Sequence, residues 1–310
     1  MGAVRSRIVL DEKEEILGSV IRITVVVPFT LRQKAQKAME AAFEECRRLD
    51  REYSRFKIDN QLSKLNAQLD DWQEVTDELF FLLEQGQHIF QKTGGAFNLG
   101  VKSLLEQWGY DSKYSFQPSP EHHSGQQEAA DFFKNPPYEL SASRKVKLFY
   151  PVELGGLGKG YALDLMKKVL EDFDVFCIDA GGDLYARGTP QKNKPWEIFF
   201  EHPLDLQQAI GKVDVSGFFL AASNPLKRKW AEKYHHLVDP KSQKPADQML
   251  AVYTQADSGL LADAYSTALF VLGYDDAKKN LPFFPVQAML VSPSGEIYRT
   301  SKFQGELFTH

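Results

Sequence analysis

Residues 154–164, LGGLGKGYALD, constrain the fold of this chain more than any other stretch. Gly155, Gly156, Gly158 and Gly160 fall close together, with Lys159 among them. Backbone without side chains can approach a phosphate closely, and a lysine can neutralise it. Directly downstream, Ala162, Leu165, Met166, Val169, Leu170 and Phe173 recur at helical spacing. The stretch is therefore a glycine turn entering a helix, whose free N-terminal N–H groups suit an anion. It is neither GxxxxGK[ST] nor GxGxxG. Taken alone, a tight helix-entry turn with a solvated lysine explains it equally well.

The flanking chain mixes strands and helices without strict alternation. Residues 20–28 are β-branched and predict a strand closed by Pro28. Ala35, Met39, Ala42, Cys46 and Leu49 form one stripe of a long helix. Thr76 is placed to cap a second helix with Leu79, Leu82, Leu83 and Ile89 on its buried face. Residues 111–137 are polar, with four prolines, and predict an irregular excursion. Strands are expected at 145–150, 175–179, around 184–188, and in the segments WEIFFEHP, AIGKVDVSG, FFLAAS and MLAVYTQA. A helix over LLADAYSTALFVLG stops at Gly273, and a closing hairpin turns at Pro293, Ser294 and Gly295. This order favours an α+β fold with a mixed, largely antiparallel sheet over a doubly wound one.

A length of 310 residues, 43% of them hydrophobic, accommodates one large domain or two intimately packed lobes. The net charge of −5, without a basic block, excludes nucleic acid as the main partner. Cys46 and Cys177 lie in apolar patterns and are expected to be buried free thiols. No apolar run reaches the roughly 18 residues of a membrane span. The N-terminus carries no export signal, so a cytoplasmic location is expected, or a periplasmic or anchored one if such a signal has been removed. Met1 and Gly2 fit a myristoylation start, with little support from Arg5 and Ser6.

Two fragments carry candidate chemistry. Asp263 and Thr267 share a helix face, and a carboxylate with a hydroxyl supplies the hard oxygens that magnesium or calcium prefers. The competing explanation is a solvated aspartate and a threonine bonded back to its own helix. His235 and His236 are adjacent, so on a strand they point opposite ways. Either one enters a cleft as base or phosphate donor while the other is solvated, or a histidine is structural and bonded to backbone. His88, His122, His123, His202 and His310 have no supporting pattern and are expected at the surface. No GxSxG, HExxH or CxxC motif occurs.

Six segments, LDREYSRFKIDNQLSKLN, TGGAFNLGVKSLLEQWGY, ELGGLGKGYALD, IDAGGD, YHHLVDPKSQKP and ADAYSTALFVLG, occur in this order. Together they resemble the ApbE family, the FAD:protein FMN transferases, from Leu17 to the hairpin near Arg299. The resemblance implies an ApbE-like fold with a central cleft for FAD and metal. It implies a divalent cation, usually Mg²⁺, and transfer of FMN from FAD to a Thr or Ser hydroxyl of an acceptor protein, leaving AMP. Asp263 and Thr267 match the family's metal ligands, with a backbone oxygen best placed at Gly156 as the third. Lys159, Phe56, Ala96, Phe97 and Asn98 match positions that contact the flavin nucleotide. Leu17 stands where the family usually has a methionine against the cofactor, and His236 matches the histidine implicated in transfer. The chain departs from the family pattern at Asn98, at Glu153, at Ala222-Ser223-Asn224-Pro225 and at Lys241-Ser242-Gln243. Those departures keep two alternatives open: a metal-dependent FAD pyrophosphatase and a catalytically decayed FAD-binding protein.

Overall fold

The computed structural model describes residues 7–113, 115–118, 134–192 and 194–308. Its first element is a hairpin, β1 (Arg7–Ile16) and β2 (Ser19–Pro28). Leu17 and Gly18 turn it with positive φ, 56° and 65°, the hand that matches strand twist. Beyond β2 the sheet continues through β3 (Phe176–Ala180), β4 (Leu184–Arg187), β5 (Phe219–Ser223), β6 (Ala251–Ala256), β7 (Gln287–Val291) and β8 (Ile297–Arg299). Spatial order equals chain order, and every neighbouring pair is antiparallel. The fold is thus α+β on an antiparallel meander, with the helices inserted between its strands. β1 adds to the strands expected from the sequence. It is an edge strand whose exposed positions include charged residues, which discourage pairing with another chain.

Alternation of side chains divides the sheet into two faces. Ile178, Tyr185, Phe219 and Ala221 share one core with Met39, Leu82, Met166 and Leu269. Those last four come from α1 (Arg32–Tyr53), α2 (Asp77–Lys92), α3 (Gly158–Val169) and α4 (Gly259–Leu272). Leu184, Leu220 and Tyr253 point the other way, onto Phe200, Val213 and Val215 of a second sheet formed by Trp196–His202, Asp205–Val215 and Glu306–Leu307. Lys145–Leu148 is a strand as expected, but it belongs to a small separate sheet with Trp72–Glu74 and Tyr138–Leu140.

Thr76 caps α2 by accepting the Leu79 N–H, and Gly273 ends α4 with a φ of 75°. Both cysteines are buried free thiols, pushed up to about 12 by burial and so unreactive. Among the described residues no helix is long and apolar enough to cross a membrane. Most of the 111–137 excursion, the expected myristoylation start, and His122, His123 and His310 lie outside the described residues.

Candidate active site

The site begins where α3 and α4 cross. A Cβ on Gly160 would lie 2.1 Å from the Gly259 oxygen and 2.7 Å from the Asp263 Cβ. Only glycine permits that approach. The Asp164 carboxylate, from α3, accepts hydrogen bonds from Gly259 N (2.8 Å), Leu260 N (3.0 Å) and Ser258 Oγ (2.9 Å). It thereby satisfies free donors at the α4 N-terminus and complements its dipole. The terminal aspartate of the glycine motif is thus the peg that sets one helix on the other.

The crossing delivers Lys159 to Asp263. The Lys159 ammonium is 3.4 Å from Asp263 Oδ1 and is also paired with Asp183. Asp263 Oδ2 accepts the Gly160 N–H at 2.9 Å. The anion at this helix entry is therefore, in part, the protein's own carboxylate. Burial pushes the Asp263 carboxyl above its ordinary value; Lys159 opposes the shift and the Asp183 charge adds to it. Burial alone would lower Lys159, but Asp183 and Asp263 together carry it above its usual value. Asp183 lies in the IDAGGD segment, yet nothing in its local pattern marks it as a partner of Lys159, 24 residues away.

Lys159 and Asp263 line a cavity of about 500 Å³. Every sequence-predicted site residue also lines it: Leu17, Phe56, Ala96, Phe97, Asn98, Gly156, Lys159, His236, Asp263 and Thr267. The glycine turn forms one wall. Asn66 holds its approach by donating to Val152 O (2.8 Å) and accepting from Val152 N (2.7 Å). Glu153 Oε2 accepts the Gly155 N–H at 2.9 Å. A Cβ on Gly156 would lie 2.9 Å from the Phe97 ring, so the turn rests directly on that aromatic.

His236 faces the cavity, and its Nδ1 is buried without a hydrogen-bond partner among the described residues. Burial, reinforced by the Arg228 charge, holds its pKa well below the usual range, so the ring is neutral near pH 7. An unpartnered neutral nitrogen can accept a proton. Of the two alternatives for the other histidine, the structural one bonded to backbone holds and the solvated one is corrected. His235 is only 6% exposed, accepts the Leu237 N–H at 3.2 Å, and is pulled down to about 4 by burial. Its short strand, Tyr234–His235, lies inside the fold, so both of its faces meet protein.

The donor set suits one kind of metal. Asp263, Thr267 and the Gly156 backbone offer hard oxygens, and the Thr267 methyl lies 3.6 Å from where a Gly156 Cβ would be. Among the described residues, no three His, Cys, Asp or Glu side chains cluster as a complete metal cage. A sparse oxygen set beside a glycine turn fits Mg²⁺, which keeps waters and completes its shell with substrate oxygens.

Sequence reasoning missed Arg55 and Tyr110, which line the same cavity. Nothing in their spacing signals the contact, which forms only when the chain after α1 meets the chain following the short helix Lys102–Gln107. Of the departures from the family pattern, Asn98, Glu153, Ala222 and Ser223 line the cavity, whereas Asn224, Pro225, Lys241, Ser242 and Gln243 do not. Asn98 accepts the Gly100 N–H at 2.8 Å, and Ser223 Oγ meets Ser266 Oγ at 2.8 Å, so both have structural partners.

The profile of the ApbE family matches residues 17–290. An FAD:protein FMN transferase of Escherichia coli (strain K12) is 24% identical, across 87% of this chain and 79% of the relative. One from Haemophilus influenzae is 26% identical, across 81% and 78%. The crystal structure of the ApbE protein from Thermotoga maritima superposes with a TM-score of 0.82 at 26% identity, covering 95% of this chain and 98% of that one. The flavin transferase ApbE from Vibrio cholerae gives a TM-score of 0.82 at 17% identity, covering 96% and 99%, a likeness of fold.

Proposed function

The chain belongs to the ApbE family, and from that premise we propose that it transfers FMN from FAD to a Thr or Ser hydroxyl of an acceptor protein. The bond formed is a phosphoester, AMP leaves, and a divalent cation, Mg²⁺ first, is required. The observation that carries this reading is the convergence of Lys159, Asp263, Thr267, Gly156 and His236 on one cavity.

Leu17, Phe56, Ala96, Phe97 and Asn98 supply walls for the flavin nucleotide. Phosphoryl transfer is mainly a matter of position and charge. A divalent cation held by Asp263, Thr267 and the Gly156 oxygen would neutralise charge on the pyrophosphate. Lys159, steered by two carboxylates, adds fixed positive charge beside the glycine turn. Neutral His236 takes the proton of the incoming hydroxyl through Nδ1 as its oxygen bonds to the FMN phosphorus. The bond from that phosphorus to the bridging oxygen breaks, and AMP departs with the electron pair.

The test is to incubate the protein with FAD, MgCl₂ and a folded acceptor domain carrying a Thr site. Flavin fluorescence on a denaturing gel and AMP by chromatography are the readouts. Labelled acceptor and AMP in equal amounts, both lost in EDTA, are expected. AMP with free FMN and unlabelled acceptor would make the protein a pyrophosphatase. Bound FAD with no product in any metal would remove the catalytic reading.

A further inference from the structure

Arg55 is a buried cation whose two terminal nitrogens lack acceptors among the described residues. Its side chain is 5% exposed, yet Nη1 and Nη2 are buried and have no hydrogen-bond partner among the described residues. Unsatisfied buried donors are costly, and a guanidinium cannot shed its proton to escape that cost. Two rings pack on it from neighbouring directions: the Phe56 centroid lies 4.2 Å from Cζ and the Tyr110 centroid 4.5 Å, with 5.5 Å between the two centroids. Glu153 Oε2 sits 3.8 Å from Nε, close enough to compensate charge but too far for a hydrogen bond. Its fork offers two coplanar donors in a residue that lines the cavity.

Resting on the reading that this cavity takes FAD, we propose that Arg55 recognises the isoalloxazine, donating from both terminal nitrogens to adjacent ring acceptors, and so distinguishes flavin from adenine. Two observations select that partner. The charge compensation by Glu153 leaves Arg55 short of acceptors rather than of a counter-ion, while the proposed function gives the phosphates to Lys159. The fork presents donor beside donor. An isoalloxazine has matching acceptor pairs, N1 with the C2 carbonyl and N5 with the C4 carbonyl. Adenine sets an amino donor beside each such ring nitrogen, which is why asparagine and glutamine, and not arginine, pair with it bidentately.

The test measures binding in EDTA, so that no turnover intervenes. FAD and FMN are followed by flavin fluorescence, and ADP-ribose, which keeps the adenine and pyrophosphate but has no flavin, by calorimetry. Arg55→Lys keeps the charge and loses the fork. Its affinity for FAD and FMN should fall about tenfold or more, with ADP-ribose binding essentially unchanged. On the wild-type protein, either 1-deaza-FAD or 5-deaza-FAD should bind about tenfold weaker than FAD. This arm decides the matter alone if Arg55→Lys fails to fold. Unchanged FAD binding by Arg55→Lys, a parallel loss of ADP-ribose, or equal binding of both analogues overturns the assignment. Failure of the wild-type protein to bind FAD at all would instead overturn the reading of the cavity.

Discussion

Two regions of one cavity are built on opposite rules. At the helix crossing, each carboxylate is answered: Asp164 by three donors, Asp263 by Gly160 N–H and Lys159, Asp183 by Lys159 and the Ala222 N–H. At the aromatic wall, Arg55 keeps two buried donors without acceptors among the described residues. In the first region every carboxylate already has a protein partner; in the second, buried donors have none among the described residues. Stability and recognition are therefore separable here, and substitutions in the two regions should fail differently.

The largest effect is expected at Gly160→Ala. The added methyl meets backbone rather than a flexible side chain, so urea unfolding should show a loss of about 3 kcal/mol or more. A loss near zero would mean that the crossing can open. Next comes Asp164→Ala, which removes a helix cap and a favourable dipole contact and should cost about 2 kcal/mol in the same assay.

The sequence made much of the first region legible and little of the second. Glycines, the capping Thr76, and the Asp263–Thr267 pair are local signals, readable from spacing. The meeting of Lys159 with Asp263 crosses 104 residues, and only resemblance to a family linked them. Arg55 carries no local signal, because its meaning depends on Tyr110 and Glu153, both far along the chain. β1 escaped notice because its charged run, 11–15, carries no apolar–polar alternation in sequence, although exposed and half-buried positions alternate along the folded strand. The solvated histidine failed for the same reason in reverse: alternation says that two side chains diverge, not that one reaches water.

The aromatic wall sharpens the contrast. Replacing Arg55 and Glu153 together by Met and Gln removes a buried charged pair with unsatisfied donors. Unfolding free energy should stay within about 1 kcal/mol of wild type, or rise, while FAD affinity falls. A loss matching that of Asp164→Ala would show that the pair holds the fold together.

The smallest effect is a linkage. Because the folded-state value of Asp263 is raised, the folded protein holds that proton longer than the unfolded chain. Its contribution to stability therefore declines as pH rises from the ordinary 3.8 through the raised value. His236, with a lowered value, acts in the opposite sense and loses stability as pH falls below the ordinary 6.5. The diagnostic is thus the difference made by metal: MgCl₂ should raise Tm by roughly 2 °C more near pH 8 than near pH 5. Equal gains at both would exclude Asp263 as the linked ligand.

The most direct measurement is AMP release from FAD in MgCl₂ by wild type and Asp263→Ala, with folding of each checked by circular dichroism. The account predicts steady release by wild type and a loss of roughly a thousandfold in the folded variant. Undiminished release by Asp263→Ala would contradict it.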